Sequence, residues 1–411
     1  MILSLKLAPL INLFIRAFTL LGKFILLFYM AKFLTQEEVG LYGLFVVLVG
    51  YSLYAVGFDF YTFSTRELVV KDKTEWGVFI KSQGYLIGIA YFIILPIILY
   101  ISSYSIPLKW LYFLGGLIVL EHLNQEIMRL LIIDKKAVLA NNLLFIRSGL
   151  WCYLIIGGMV FGLVNKNLET IIYTWLVADL IALIWGWVKF KKDIKFVKKQ
   201  DVQFNWLKTG LKICIPLLFS TLILRAITTV DRLWLEHLEG LGVIAAYSLF
   251  FGLTNAMLSF LDTGVFSFIY PHMIKEKNNT EKFNKLVKKM FLQTIGLTIF
   301  ISISLIVIFP YLLNWIGKDI YFTYRNIFYI ILLSNIFYCI GMVPHYILYA
   351  RGDDKKIIIS HIVGLIIFFF STLICIYNSI AIPVAYGLCF SFLSILIAKL
   401  LFSIEKSGFK L

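Results

Sequence analysis

Apolar runs of about 20 residues recur from one end of the chain to the other between short polar breaks, and this repetition leaves few architectures open. A run of that length crosses a hydrocarbon core of roughly 30 Å as a helix, and the alternation of a membrane-barrel strand is not seen. Hydrophobic residues make up 61% of 411 positions and charged residues 15%, with mean hydropathy +0.90, outside the balance of a soluble domain. The sequence therefore predicts an all-α integral membrane protein. Spans are expected near 7–33, 39–63, 77–101, 107–131, 137–163, 168–190, 207–235, 241–268, 286–309, 327–349, 357–377 and 380–402. The opening MILSLK leads straight into a run of full length, so the first span is expected to be retained rather than cleaved as a signal.

Charge sorts the loops into two sides. Of 38 Lys and Arg, 28 fall on one set of loops and ends, with Lys399 counted among them. The opposite side has Lys32, Lys109, Lys166, Lys318 and Arg325, and Arg16, Lys23, Arg147, Arg225 and Arg232 lie inside spans. The positive-inside rule then places both termini in the cytoplasm. The longest polar stretch, 189–206, falls on that side at mid-chain, which predicts a six-helix bundle over 1–190, a basic linker over 191–206 and a second six-helix bundle over 207–411. The net charge of +15 thus follows from loop cations and does not call for a nucleic-acid partner. The outer loops are too short for a catalytic domain. Cys152, Cys214, Cys339, Cys375 and Cys389 lack paired spacing and read as buried thiols, and the histidines make no HExxH. No enzyme, resident cofactor or metal site is expected.

The two halves share a pattern. Asn12, Arg16, Thr19 and Lys23 stand at offsets 0, 4, 7 and 11 in the first span, and Thr221, Arg225, Thr228 and Arg232 repeat those offsets in the seventh. At 100° per residue each set falls within about 60°, a polar stripe on an otherwise apolar helix. A cation at the centre of a span costs roughly 2.5–3.5 kcal/mol on insertion scales, so two per stripe require an offsetting interaction. The next spans correspond as well, Tyr42 with Tyr247 and Asp59 with Asp262, which predicts a parallel repeat.

The stretch YMAKFLTQEEVGLYGLFVVLVGYSLYAVGFDFYTFSTREL resembles the first-to-second-span region of the polysaccharide biosynthesis flippases, the Wzx-type O-antigen transporters of the multidrug/oligosaccharidyl-lipid/polysaccharide (MATE-like) exporter superfamily. The resemblance is carried by Gln36-Glu37-Glu38, Gly40-Leu41-Tyr42, Gly57-Phe58-Asp59 and Arg66-Glu67, and in the second half by Asp231-Arg232, Ala246-Tyr247-Ser248 and Pro271. Glu239-Gly240-Leu241-Gly242 departs from the acidic turn of that pattern. The resemblance implies two pseudo-symmetric bundles in a V around a central cavity, working by alternating access in a bacterial inner membrane. It also implies an undecaprenyl-diphosphate-linked oligosaccharide as substrate, an O-antigen or capsule repeat unit, with membrane lipids, a glycan polymerase and chain-length machinery as partners.

The stripes suit such a substrate independently. Arg16, Lys23, Arg225 and Arg232 are candidates for the diphosphate, the arginines by forked contacts. Asn12, Thr19, Thr221 and Thr228 are candidates for sugar hydroxyls. Asp231, about 100° from Arg232, is expected to pair with another helix. His122, Glu126 and Arg129 share a face of the fourth span, where a local Glu126–Arg129 pair is the favoured reading over ion coupling. Arg147 and Asp179 lie at mid-membrane depth and are expected to neutralise each other. Asp59 and Asp262 are candidates for bracing the bundles or for coupling to H⁺ or Na⁺. Two alternatives stay open, a flippase for another lipid-linked cell-wall precursor and a multidrug antiporter; a cavity for cationic drugs would favour acids over these cations.

Overall fold

The computed structural model describes residues 2–192 and 201–407, and these residues form helices without a strand. In chain order the helices are α1 (Ile2–Phe33), α2 (Gln36–Gly57), α3 (Tyr61–Val70), α4 (Lys73–Ser102), α5 (Leu108–Ile133), α6 (Ala137–Phe145), α7 (Trp151–Val160), α8 (Leu168–Lys191), α9 (Phe204–Glu239), α10 (Leu241–Leu261), α11 (Ser267–Lys275), α12 (Thr280–Ile316), α13 (Asp319–Thr323), α14 (Arg325–Arg351), α15 (Asp354–Tyr377) and α16 (Pro383–Ser407). A π-helical turn, Ile146–Leu150, joins α6 to α7, and another, Asp262–Phe266, joins α10 to α11. With each joined pair taken as one, 11 helices among the described residues are long and apolar enough to cross a membrane. The remaining expected span is α5, which has the length but carries Glu121, His122, Glu126 and Arg129. Residues 193–200 of the expected basic linker lie outside the described residues.

Local sequence explains where helices start and stop. Thr35 caps α2 through a capping box: its hydroxyl accepts the Glu38 N–H at 3.2 Å, and Glu38 Oε2 accepts the Thr35 N–H at 3.1 Å. The other carboxylate oxygen of Glu38 accepts the Leu168 N–H at 2.8 Å, so one side chain satisfies the starts of both α2 and α8. The span expected over 39–63 is interrupted. Phe58 and Asp59 take φ of 53° and 49°, α2 ends at Gly57, and α3 starts at Tyr61. Its repeat counterpart is also irregular, since Asp262 opens the second π turn.

Packing divides the chain into two compact units, Met1–Leu222 and Ile223–Leu411. The division falls within α9 rather than ahead of it. Early in α9, Gly210 lies directly against the rings of Phe60 and Phe63, and Leu207 and Cys214 complete that cluster in the first unit. Farther along, Ile227 joins Phe368, Leu388, Phe392 and Ile395 in the second. Another core of the first unit gathers Trp76, Ile127, Leu131, Leu143 and Phe190. In the second unit α15 and α16 approach closely through small residues: Gly364 meets Ser391 and Ile395, and Gly387 meets Thr372. Phe92, Tyr112, Phe300 and Tyr377 are largely exposed, which is costless for groups facing lipid.

Candidate functional site

Arg16 and Lys23 lie seven residues apart on α1, within about 20° of one another, and both are exposed. Arg16 Nε donates to Asn141 Oδ1 of α6 at 3.1 Å, which steadies the guanidinium on a neutral partner. Lys23 lies within electrostatic reach of Asp179 and Cys152. Thr19, about 60° around the helix, belongs to the packed side: it is 3% exposed, and its hydroxyl donates to the Ile15 carbonyl at 2.8 Å. The reason is a close approach, because a Cβ on Gly149 of the π turn would stand 2.9 Å from Thr19 Cα. Thr19, a candidate for sugar hydroxyls, packs against the π turn in this structure. Asn12 is half-buried and its Oδ1 is enclosed.

The stripe on α9 separates in the same manner. Arg225 is exposed. Arg232 is 5% exposed: Nη1 donates to the Thr228 carbonyl at 2.6 Å and lies 3.6 Å from Asp231 Oδ1, and its guanidinium stacks 4.4 Å over Phe251. Asp231 in turn accepts the Tyr247 hydroxyl of α10 at 2.7 Å and the Arg232 backbone N–H at 2.7 Å. In this structure a fully enclosed aspartate and an aromatic face hold the side chain of Arg232, a candidate for the diphosphate. Asp231 pairs with another helix, as its phase on α9 suggests, and with its own neighbour too. The hydroxyls of Thr221 and Thr228 donate to the carbonyls of Leu217 and Arg225, at 3.1 and 3.2 Å.

A second cluster lies inside the first unit. Arg147, on the π turn, forms its ion pair with Glu121 of α5, to which Nη1 also donates at the backbone carbonyl at 3.2 Å. The expected attraction between Arg147 and Asp179 is present beside this ion pair. Trp175 Nε1 donates to the other Glu121 oxygen at 3.1 Å, Trp151 Nε1 donates to the Arg147 carbonyl at 2.9 Å, and the two indoles stack at 6.0 Å. Asp179 is fully buried beside this pair, with Arg147 and Lys23 attracting it and Glu121 repelling it, and neither carboxylate oxygen has a hydrogen-bond donor among the described residues. One guanidinium therefore serves two carboxylates. Glu121 was not singled out by the sequence pattern. The signal was there, since an acid at the middle of a span requires a cation at its own depth.

A third network runs from α3 to α5. Arg129 pairs with Glu126 and stacks 3.4 Å over the Tyr61 ring, while Gln83 Nε2 donates to Glu126 at 2.7 Å. His122 shares a hydrogen bond of 2.7 Å with the Tyr91 hydroxyl, and its Nε2 is 3.8 Å from Glu126. Asp59 is buried at the α2–α3 break, where its carbonyl accepts the Thr62 hydroxyl at 2.9 Å. Asp262 is exposed on the π turn of the second unit. Among the described residues no three His, Cys, Asp or Glu side chains come together to hold a metal.

No family model and no curated protein sequence matches the chain. Solved structures do match it. An inward-facing multidrug resistance MATE family transporter of the MOP superfamily superposes with a TM-score of 0.78 at 13% identity, over 97% of this chain and 98% of that one. This is the MATE fold. The lipid II flippase MurJ, in an inward closed conformation, shares it with a TM-score of 0.73 at 16% identity, over 97% of this chain and 88% of its own. A Vibrio cholerae MATE transporter gives a TM-score of 0.57 at 14% identity, over 98% and 97% of the two chains. The all-helical, two-lobe membrane architecture expected from the sequence is therefore the one observed.

Proposed function

We propose that the chain is a flippase for an anionic lipid-linked glycan, in the first instance an undecaprenyl-diphosphate-linked oligosaccharide crossing a bacterial inner membrane by alternating access. The observation that carries this reading is the exposure of Arg16 and Lys23 on one face of a spanning helix, with Arg225 exposed at the repeat position of α9. Cations at such depth are costly in lipid. A diphosphate offsets that cost, because charge-assisted and forked contacts strengthen where water is scarce. The apolar tail of such a substrate stays in lipid while the sugars pass beside the protein. Likeness to MurJ supports a lipid-linked substrate and keeps a second reading in play, a different cell-wall precursor on the same type of carrier. The buried carboxylates Glu121 and Asp179, and the acids Asp59, Glu126 and Asp262, are where H⁺ or Na⁺ would couple in this reading. A glycan polymerase and chain-length machinery would take the product.

The substrate class is tested in proteoliposomes. A fluorescent undecaprenyl-diphosphate oligosaccharide is expected to become accessible to an external glycan-cleaving enzyme when the protein is present, and a cationic dye is not expected to be moved. Dye export without movement of the lipid-linked sugar would establish the multidrug reading instead.

A further inference from the structure

Three arginines of the spans stand against carboxylates: Arg147 pairs with Glu121, Arg129 with Glu126, and Arg232 Nη1 lies 3.6 Å from Asp231 Oδ1. Their charges are compensated where they stand. Arg16 meets an amide instead, donating from Nε to Asn141 Oδ1 at 3.1 Å, and among the described residues it has no carboxylate partner. A guanidinium only donates, so it fixes which end of the amide faces α1, and the pair keeps a full positive charge. Aspartate has the shape of asparagine and would hold the same Nε–H more firmly, because hydrogen bonds between charged groups are roughly twice as strong as neutral ones. A contact that only fastened α1 to α6 would be made better by a carboxylate.

The amide is built into the fold, while the guanidinium is open. Asn141 is 6% exposed in α6, near the buried Ala140 and Leu143, and Leu143 packs against Gly186 of α8. Arg16 is exposed. Over the next two turns of α1, three further contacts set the rotation of that helix. The Phe18 carbonyl accepts the Tyr153 hydroxyl at 2.8 Å, a Cβ on Gly149 would stand 2.9 Å from Thr19 Cα, and a Cβ on Gly22 would stand 2.8 Å from the Tyr153 ring. With the backbone of α1 fixed and Nε engaged, little freedom is left to the Arg16 side chain. Its unengaged donors are the four coplanar N–H groups of Nη1 and Nη2, an end-on fork that matches two oxygens of one phosphate. A guanidinium ordered in this way loses less entropy when an anion arrives.

We propose that Asn141 is a positioning residue for the substrate anion: it turns the Arg16 guanidinium end-on to a phosphate group of the lipid-linked substrate without cancelling its charge. Arg16 touches the phosphate, and Asn141 acts through Arg16. The identity of the anion rests on the flippase reading, whereas the orienting role rests on the contact between α1 and α6.

The test measures the dissociation constant of undecaprenyl diphosphate for the purified full-length protein in nanodiscs. Asn141→Asp separates orientation from attachment, because the new carboxylate accepts the same Nε–H and holds α1 at least as firmly while cancelling the charge. Its affinity is expected to fall roughly tenfold or more, with an unfolding temperature no lower than that of wild type. Asn141→Ala leaves the charge but releases the guanidinium, and a fall of roughly two- to tenfold is expected, the ordering cost of one long side chain. In an Arg16→Met background, Asn141→Ala is expected to change the affinity by less than about twofold. Wild-type affinity in Asn141→Asp, or the same loss from Asn141→Ala with and without Arg16, overturns the proposal. Where Asn141→Asp does not fold, the cycle with Asn141→Ala and Arg16→Met decides. Failure of wild type to bind undecaprenyl diphosphate would remove the flippase reading, and inorganic pyrophosphate then serves as the probe of the same variants. Weaker pyrophosphate binding by Asn141→Asp than by wild type would keep the orienting role, and equal or absent binding would overturn it.

Discussion

Arg147 is the side chain whose loss the protein should tolerate least. It is 6% exposed, it pairs with Glu121, and it attracts the buried Asp179. Removing one partner of a buried pair leaves an uncompensated charge, so Arg147→Met is expected to destabilise the protein by about 3–5 kcal/mol. Arg16 is exposed and holds one neutral partner, so Arg16→Gln should change stability by less than about 0.5 kcal/mol. Thermal unfolding in detergent measures both, and equal losses would contradict the division between a structural and a ligand-facing arginine. The sequence showed that Arg147 needed a counter-ion but not which one. Helical phase gives the face of a helix, and the neighbour on that face is decided by tertiary packing. For the same reason Lys23 and Arg232 read alike at equivalent repeat positions, although an adjacent aspartate and two aromatic rings enclose only the second.

At the level of elements, departures from regular helix sit beside the charged groups. The π turn that carries Arg147 lets α1 approach until a Cβ on Gly149 would meet both Thr19 Cα and the Phe145 ring at 2.9 Å. Gly149→Ala is therefore expected to cost about 1–3 kcal/mol. Gly157→Ala, with open space around it, is the control and should be close to neutral by the same thermal measurement. Glu38 fastens two helix starts at once, so Glu38→Ala should cost about 1–2 kcal/mol, whereas Glu37→Ala should cost less. The helices themselves were legible because lipid demands long apolar runs. The break at Phe58–Asp59 was not, since a bulky Phe58 gives no sign of a positive φ and a single aspartate within an apolar run is a weak one. The π turns were hidden for a related reason: an extra residue inside a continuous apolar run leaves composition unchanged.

For the whole molecule, apolar runs between polar breaks give twelve expected spans, and 11 helices among the described residues are long and apolar enough to cross a membrane. The remaining expected span, α5, has the length of one and carries two acids, a histidine and an arginine in its second half. The repeat was visible because its two lead helices kept the same polar offsets. The boundary between units was not, since α9 serves both: its start packs on Phe60 and Phe63 and its later turns on Phe368. Solved structures at 13–16% identity show the fold alone, so the argument for an anionic substrate rests on the cations of α1 and α9. The most direct test is the rate at which proteoliposomes translocate a labelled undecaprenyl-diphosphate oligosaccharide, compared between wild type and two double variants. Loss of two charge-assisted contacts predicts a fall of roughly tenfold or more for Arg16→Ala/Arg225→Ala and a smaller fall for Arg16→Lys/Arg225→Lys, with unchanged membrane insertion. Wild-type rates from the alanine double variant would contradict the account.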